Sequence, residues 1–115
     1  MKTILFYKVA TTGLIKFTEP SGSDSQPHLV QLAAILCDGA TRKIIDTMDV
    51  IIKPSGWVIP QETTDIHGVT NAFAENFGIP EAEALQKFLE LCGDADRVSF
   101  GKAFDQRVIR IATKR

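Results

Sequence analysis

Two histidines, His28 and His67, and two cysteines, Cys37 and Cys92, are the side chains of this sequence that could bind a soft metal or titrate near neutral pH. Neither histidine stands at ligand spacing from a cysteine or from the other histidine, so no zinc site is recognisable. His67 could serve as a general base, but it reads better as a packed or hydrogen-bonded structural residue. His28, after a proline at a loop end, reads as a surface residue. The cysteines lack a Cys-x-x-Cys spacing and read as buried small hydrophobes of a reduced, cytoplasmic protein. Thr11-Thr12-Gly13 is either a plain strand-ending turn or a turn whose backbone N–H groups cradle phosphate and sugar oxygens. Phe17, Trp57, Phe73 and Phe77 could stack on a nucleobase, although burial is the commoner fate of aromatics. Arg107, Arg110, Lys114 and Arg115 share one helix face, which either meets a phosphate backbone or is solvated at the negative end of the helix dipole. Motifs for triphosphate hydrolysis, dinucleotide binding and nucleophile-elbow acyl transfer are missing.

The composition narrows the partners. Thirteen Lys and Arg against fourteen Asp and Glu give a net charge of -1, so no broad basic field exists to displace phosphate counterions, and any nucleic-acid contact must be local. With 115 residues, 44% of them hydrophobic, the chain suits one domain with a core that needs no disulfide or metal. The apolar start, Ile4 to Tyr7, is interrupted by Lys8 well short of a secretory segment. No run approaches the roughly 20 residues of a membrane span, so no membrane partner is expected.

The elements that must position these residues follow from apolar spacing and turn chemistry. Residues 3–9 are β-branched and aromatic and read as a buried strand that stops at Thr12-Gly13. Residues 17–27 form a long loop of proline, serine and glycine, a type that often serves a site. His28–Cys37 and Lys43–Lys53, joined through Asp38-Gly39, read as a β-hairpin. Short helices are expected over Gln61–Ile66 and, capped by Thr70, through Phe73 and Ala74. A longer helix starts at Pro80, carries Glu81 and Glu83 at its positive end and spaces Leu85, Phe88, Leu89 and Cys92 on one face before Gly93. Arg97–Phe100 reads as a short buried strand. Ala103–Lys114 reads as a final helix with Phe104, Val108, Ile111 and Ala112 inward. The order predicts a mixed α/β sheet, an antiparallel hairpin plus one parallel strand returned by a helical crossover. Because the sequence stops inside an amphipathic helix without a cap, a domain truncated at its C-terminus is expected, with Val108 and Ile111 exposed and available for self-association.

Four of these segments together resemble the DnaQ-like 3'-5' exonuclease family: Thr11-Thr12-Gly13-Leu14 after the first strand, Gln31-Leu32-Ala33-Ala34 in the second, Ile66-His67-Gly68-Val69-Thr70, and Phe104-Asp105. They run in the family's order over nearly the whole chain. The resemblance implies a ribonuclease H-like fold, here a single partial domain over 1–115. It also implies that Thr11, Thr12, Gly13, Leu14, His67 and Phe104 border the substrate.

The family's first motif, Asp-x-Glu-Thr-Thr-Gly, places two carboxylates on one strand face to hold divalent metals. Lys8 and Ala10 occupy those positions here. Its second motif, Asn-x-x-Phe-Asp, keeps Asp105 but has Gly101 at the asparagine position, and the third would lie beyond Arg115. Two Mg²⁺ about 4 Å apart repel strongly and need several carboxylates, which Asp105 alone does not supply. The expectation is a degenerate domain, without catalysis or cofactor, in which Lys8 pairs with Asp105. It would bind single-stranded or 3'-terminal nucleic acid or a nucleic-acid-processing protein. The alternative is a fragment or variant of an active 3'-5' exonuclease on DNA or RNA that uses Mg²⁺ or Mn²⁺.

Overall fold

The computed structural model describes residues 2–99 and 102–114. Three expectations fall outside them: Gly101 at the altered asparagine, Phe100 at the end of the last strand, and Arg115 on the basic face. The strands are β1 (Thr3–Thr11), β2 (Leu29–Asp38), β3 (Ile44–Ile51) and β4 (Asp96–Val98). The helices are α1 (Gln61–His67), α2 (Asn71–Phe77), α3 (Glu81–Cys92) and α4 (Lys102–Lys114). They build one mixed sheet in the order β3-β2-β1-β4, antiparallel except for the parallel β1–β4 pair. A four-stranded sheet with one parallel pair, flanked by helices, is the mixed sheet that the element order predicted and the ribonuclease H-like arrangement that the resemblance implied.

Alternation along β1 assigns the faces. Leu5 and Tyr7 are buried beneath the helices, while Phe6 and Lys8 are exposed on the other side. Register carries the pattern across: Phe6, Lys8 and Ala10 lie opposite Ile35, Ala33 and Gln31, and these lie opposite Thr47, Asp49 and Ile51. The sheet thus has one face covered by α3 and α4 and one that is open along Phe6, Lys8 and Ile35, with Ala10 and Ile51 at its end packed against Val69 and Ala74. On the covered side Phe88 of α3 meets Tyr7 edge-on at 5.4 Å, and Leu5, Leu29, Leu32, Ile52, Val108 and Ile111 complete the core.

Local chemistry sets the element ends. Thr70 caps α2 by accepting from the Phe73 N–H at 3.1 Å. Gly68 closes α1 in the left-handed conformation that glycine adopts without strain. Gly78 lets the α2–α3 link lie against the end of β3, where Lys53 N–H donates to the Ile79 carbonyl at 2.8 Å; a Cβ there would collide with the backbone of Lys53 and Ala74.

Five sequence expectations are corrected. Val108 and Ile111 are each 1% exposed, so they offer no surface for self-association: α4 packs them against β1 and α3. β4 is a three-residue edge strand, and its Val98, opposite Phe6, lies on the uncovered face and is exposed. Leu89 of α3 is exposed, because the buried arc runs through Ala84, Leu85, Phe88 and Cys92 and leaves Leu89 on its flank. His28 is half-buried and stacks on Trp57, 4.5 Å between centroids and 10° from parallel. Phe17, Phe73 and Phe77 remain exposed, the last two 4.9 Å apart on α2. Cys37 and Cys92 are buried free thiols, as read from their spacing.

Candidate functional site

The end of β1 and the turn after it form the floor of the candidate site. Lys8 and Ala10 point to the uncovered face, two residues apart as the strand period requires. The β1–β2 register shifts between Ala10 and Thr11, and the strand ends in a tight turn. Thr11 is buried and its Oγ1 donates to the Gly13 carbonyl at 2.7 Å. Thr12 closes the neck of the following loop twice: its N–H donates to the His28 carbonyl at 3.0 Å, and its Oγ1 accepts from the His28 N–H at 2.9 Å. The Gly13 N–H turns back to Thr11 Oγ1 at 3.4 Å. The amides of Thr12 and Gly13 are therefore engaged within the turn. Leu14 just beyond projects into solvent.

The loop between Thr12 and His28 is a packed unit. Gln26, 2% exposed, accepts from the Lys16 N–H at 3.0 Å and donates to the carbonyls of Lys16, Glu19 and Pro20. Arg107 of α4, expected on the solvated basic face, instead reaches this loop. Its Nε donates to Ser21 Oγ at 2.8 Å and an Nη to the Glu19 carbonyl at 2.7 Å. Arg110 and Lys114 are exposed, as expected.

Asp105 lies in the first turn of α4 and is 7% exposed. The Ser99 hydroxyl donates to its carboxylate. Burial pushes the Asp105 carboxyl above the ordinary value, and the serine hydroxyl partly opposes this. Asp105 in turn acts on Tyr7, whose hydroxyl is buried without a hydrogen-bond partner and whose pKa is raised first by burial and then by this carboxylate. Lys8 does not join them. It is exposed on the far face, and the ion pair found among the described residues is Lys2 with Asp96 at 3.2 Å. The expected Lys8–Asp105 pair is absent because neighbouring residues of a strand face opposite ways, and Asp105 sits on the Tyr7 side. Phe104 is half-buried against the core beside it.

His67 ends α1. Its Nδ1 accepts from the Val69 N–H at 3.1 Å, which assigns the neutral proton to Nε2. Nε2 is buried without a closed hydrogen bond, and the His67 pKa is lowered by burial, with the Thr11 backbone opposing. His67 is thus a hydrogen-bonded residue that brings the α1–α2 turn up to the end of β1. Beside it lies a hollow of about 360 Å³ bordered by Gln31, Asp49, Ile51, His67, Val69 and Phe73, in which the Gln31 amide donates to Asp49 at 2.8 Å.

The fold therefore brings together Thr11, Ala10 and His67, and separately Asp105, Ser99 and Tyr7. Ser99, Tyr7 and Gln26 went unnoticed in the sequence. A buried tyrosine in an apolar strand carries no motif, while the glutamine next to Pro27, in a loop otherwise lacking material to bury, was the available hint. The resemblance implies Mg²⁺ or Mn²⁺, and the donor set can be tested against that. Among the described residues no three His, Cys, Asp or Glu side chains converge. Lys8, Ala10 and Asp105 together offer one carboxylate, already bonded to Ser99, and one ammonium. These donors do not fit a pair of divalent ions.

Residues 11–115 match the family model described as Exonuclease. The chain belongs to this exonuclease family. No curated protein sequence matches it. Among solved structures it is similar to exonuclease I of E. coli in complex with a dT13 oligonucleotide, with 23% identity and a TM-score of 0.75 over 96% of this chain. The complex of the same enzyme with dA16 gives 23% identity and a TM-score of 0.78, again over 96% of this chain. The moderately thermophilic exonuclease I of Methylocaldum szegediense gives 22% identity and 0.73 over 94%. At these identities the likeness establishes the shared fold. The chain spans 23% of the length of the E. coli structures and 22% of the other.

Proposed function

We propose that this member of the exonuclease family holds single-stranded or 3'-terminal nucleic acid without hydrolysing it. The observation that carries this reading is the donor set: an exposed lysine and an alanine stand where the family's first motif has its carboxylates, and the remaining Asp105 is buried on Ser99. Hydrolysis by two metal ions depends on closely spaced cations that offset charge on the attacking and leaving oxygens, and a lysine and an alanine at the first motif's carboxylate positions leave those cations without two anionic ligands. The binding half of the reading is supported by the preserved scaffold. The Thr11–Gly13 turn, Leu14 and His67 stand together at the end of β1, and exposed Phe73 lines the hollow beside them. Exposed aromatic faces stack on bases of any sequence. Two of the similar exonuclease I structures, both of the E. coli enzyme, are complexes with oligonucleotides.

A nucleic-acid-processing protein is the second partner class. One similar structure is an exonuclease I complex with SSB-Ct. The test is an assay with end-labelled single-stranded DNA and RNA, in EDTA and in Mg²⁺ or Mn²⁺, comparing the chain with Asp105→Ala. Binding in EDTA and full-length strands throughout are expected. Metal-dependent loss of terminal nucleotides that disappears in Asp105→Ala would establish the alternative, an active 3'-5' exonuclease domain.

A further inference from the structure

A hollow of about 410 Å³ lies on the uncovered sheet face, and Lys8 is among its lining residues. The small side chain of Ala33, directly across the β1–β2 ladder from Lys8, leaves space. Phe6, Ile35 and Val98, all exposed, border that space with apolar surface. Lys8 is the cation among the residues that line the hollow, and its ammonium forms no hydrogen bond or ion pair with any described residue; at the border the Arg42 guanidinium lies 6.0 Å from the centroid of the Phe6 ring. The nearest carboxylate across the ladder, Asp49, is two strands away, about 10 Å at ordinary strand spacing, and accepts from the Gln31 amide.

We infer that Lys8 is a phosphate-binding residue: its ammonium takes a phosphodiester of a single strand lying across the uncovered face, with Phe6 and its apolar neighbours receiving the adjoining base. The inference rests on the nucleic-acid reading above and adds the group that grips the backbone. A nucleotide offers this combination, an anion joined to a flat apolar ring, in the size that the hollow accepts. The site lies two residues before Ala10 and three before Thr11, so a strand held by Lys8 continues toward the turn and His67. A lysine binds phosphate as a point charge and needs no metal. Because the field is Lys8 with Arg42 at the border beside Phe6, in a chain of net charge -1, the contact is local and sensitive to salt.

The experiment is fluorescence anisotropy of 5'-fluorescein-labelled oligothymidylate in EDTA over a salt series. It compares the intact chain with Lys8→Met, Lys8→Arg and Lys8→Glu, and uses a second oligonucleotide with neutral methylphosphonate linkages at its 3' end. Lys8 is exposed, so the variants retain the fold. Lys8→Met is expected to weaken binding about threefold near 0.1 M salt and to reduce the slope of log K against log salt by about 0.7, the share of one phosphate on a single strand. Lys8→Glu weakens it further, and Lys8→Arg retains it. The neutral linkages weaken binding to the intact chain and not to Lys8→Met. Equal affinities and slopes for the intact chain and Lys8→Met overturn the inference while leaving the nucleic-acid reading in place. Loss in Lys8→Met without sensitivity to the neutral linkages overturns it too, since the anion would then belong to another ligand such as an acidic peptide. No binding by the intact chain removes both readings.

Discussion

Asp105 is a carboxylate held where its charge is disfavoured, with the Ser99 hydroxyl as its compensation. A folded-state pKa raised above the unfolded value means that the carboxyl favours folding below the unfolded pKa, and that this contribution is lost as pH rises through the folded value. At neutral pH the carboxyl therefore works against the fold. Asp105→Asn keeps a partner for Ser99 and removes the charge, so thermal melts should give a higher Tm than the unmodified chain at pH 7 and no difference near pH 3. A lower Tm at pH 7 would mean that the carboxylate has a compensating cation after all. Lys8, Ala10 and Asp105 were singled out by the resemblance to the family's motifs, and the strand period of two then puts Lys8 and Ala10 on one face. The partner of Asp105 could not be read from the sequence. The serine belongs to the chain between β4 and α4, and only the packing of α4 turns the aspartate toward it.

At the scale of elements, the loop between Thr12 and His28 behaves as an Ω-loop, with its neck closed by Thr12, its interior filled by Gln26 and its outer edge fastened by Arg107. It carries Phe17, 65% exposed, close in sequence to the turn that borders the site. Replacing Arg107 with alanine removes two hydrogen bonds from a charged donor. Hydrogen exchange should then speed up at the amides of Glu19, Ser23 and Gln26, which depend on loop geometry, while the amides of α3 keep their protection. Unchanged exchange in the loop would show that Gln26 suffices to hold it. The sequence marked this segment as a long loop without material to bury and could not show that it was ordered. The fastening residue lies 86 residues away from Ser21 and was read as solvated on a helix face. The hairpin and the first three helices were legible because Gly68, Thr70, Pro80 and Gly93 punctuate them locally. β4 was misjudged because apolar content does not distinguish an edge strand from a central one.

For the whole molecule, one sheet separates two environments. Its covered face holds the core and Asp105, and its open face holds Lys8, Ala10 and the exposed Phe6, Ile35 and Val98. The first strand read as buried, with the Lys8 and Ala10 positions on one face, and the sequence did not show that α3 and α4 would share one side; this division is what separates Lys8 from Asp105. The central claim is that these donors do not assemble a divalent-metal centre. Titration of the chain with Mn²⁺, followed by the electron paramagnetic resonance signal of the free ion, tests it directly. The account predicts that the free-ion signal grows as it does in buffer alone. Removal of two Mn²⁺ per chain at micromolar concentrations, abolished by Asp105→Ala, would contradict it.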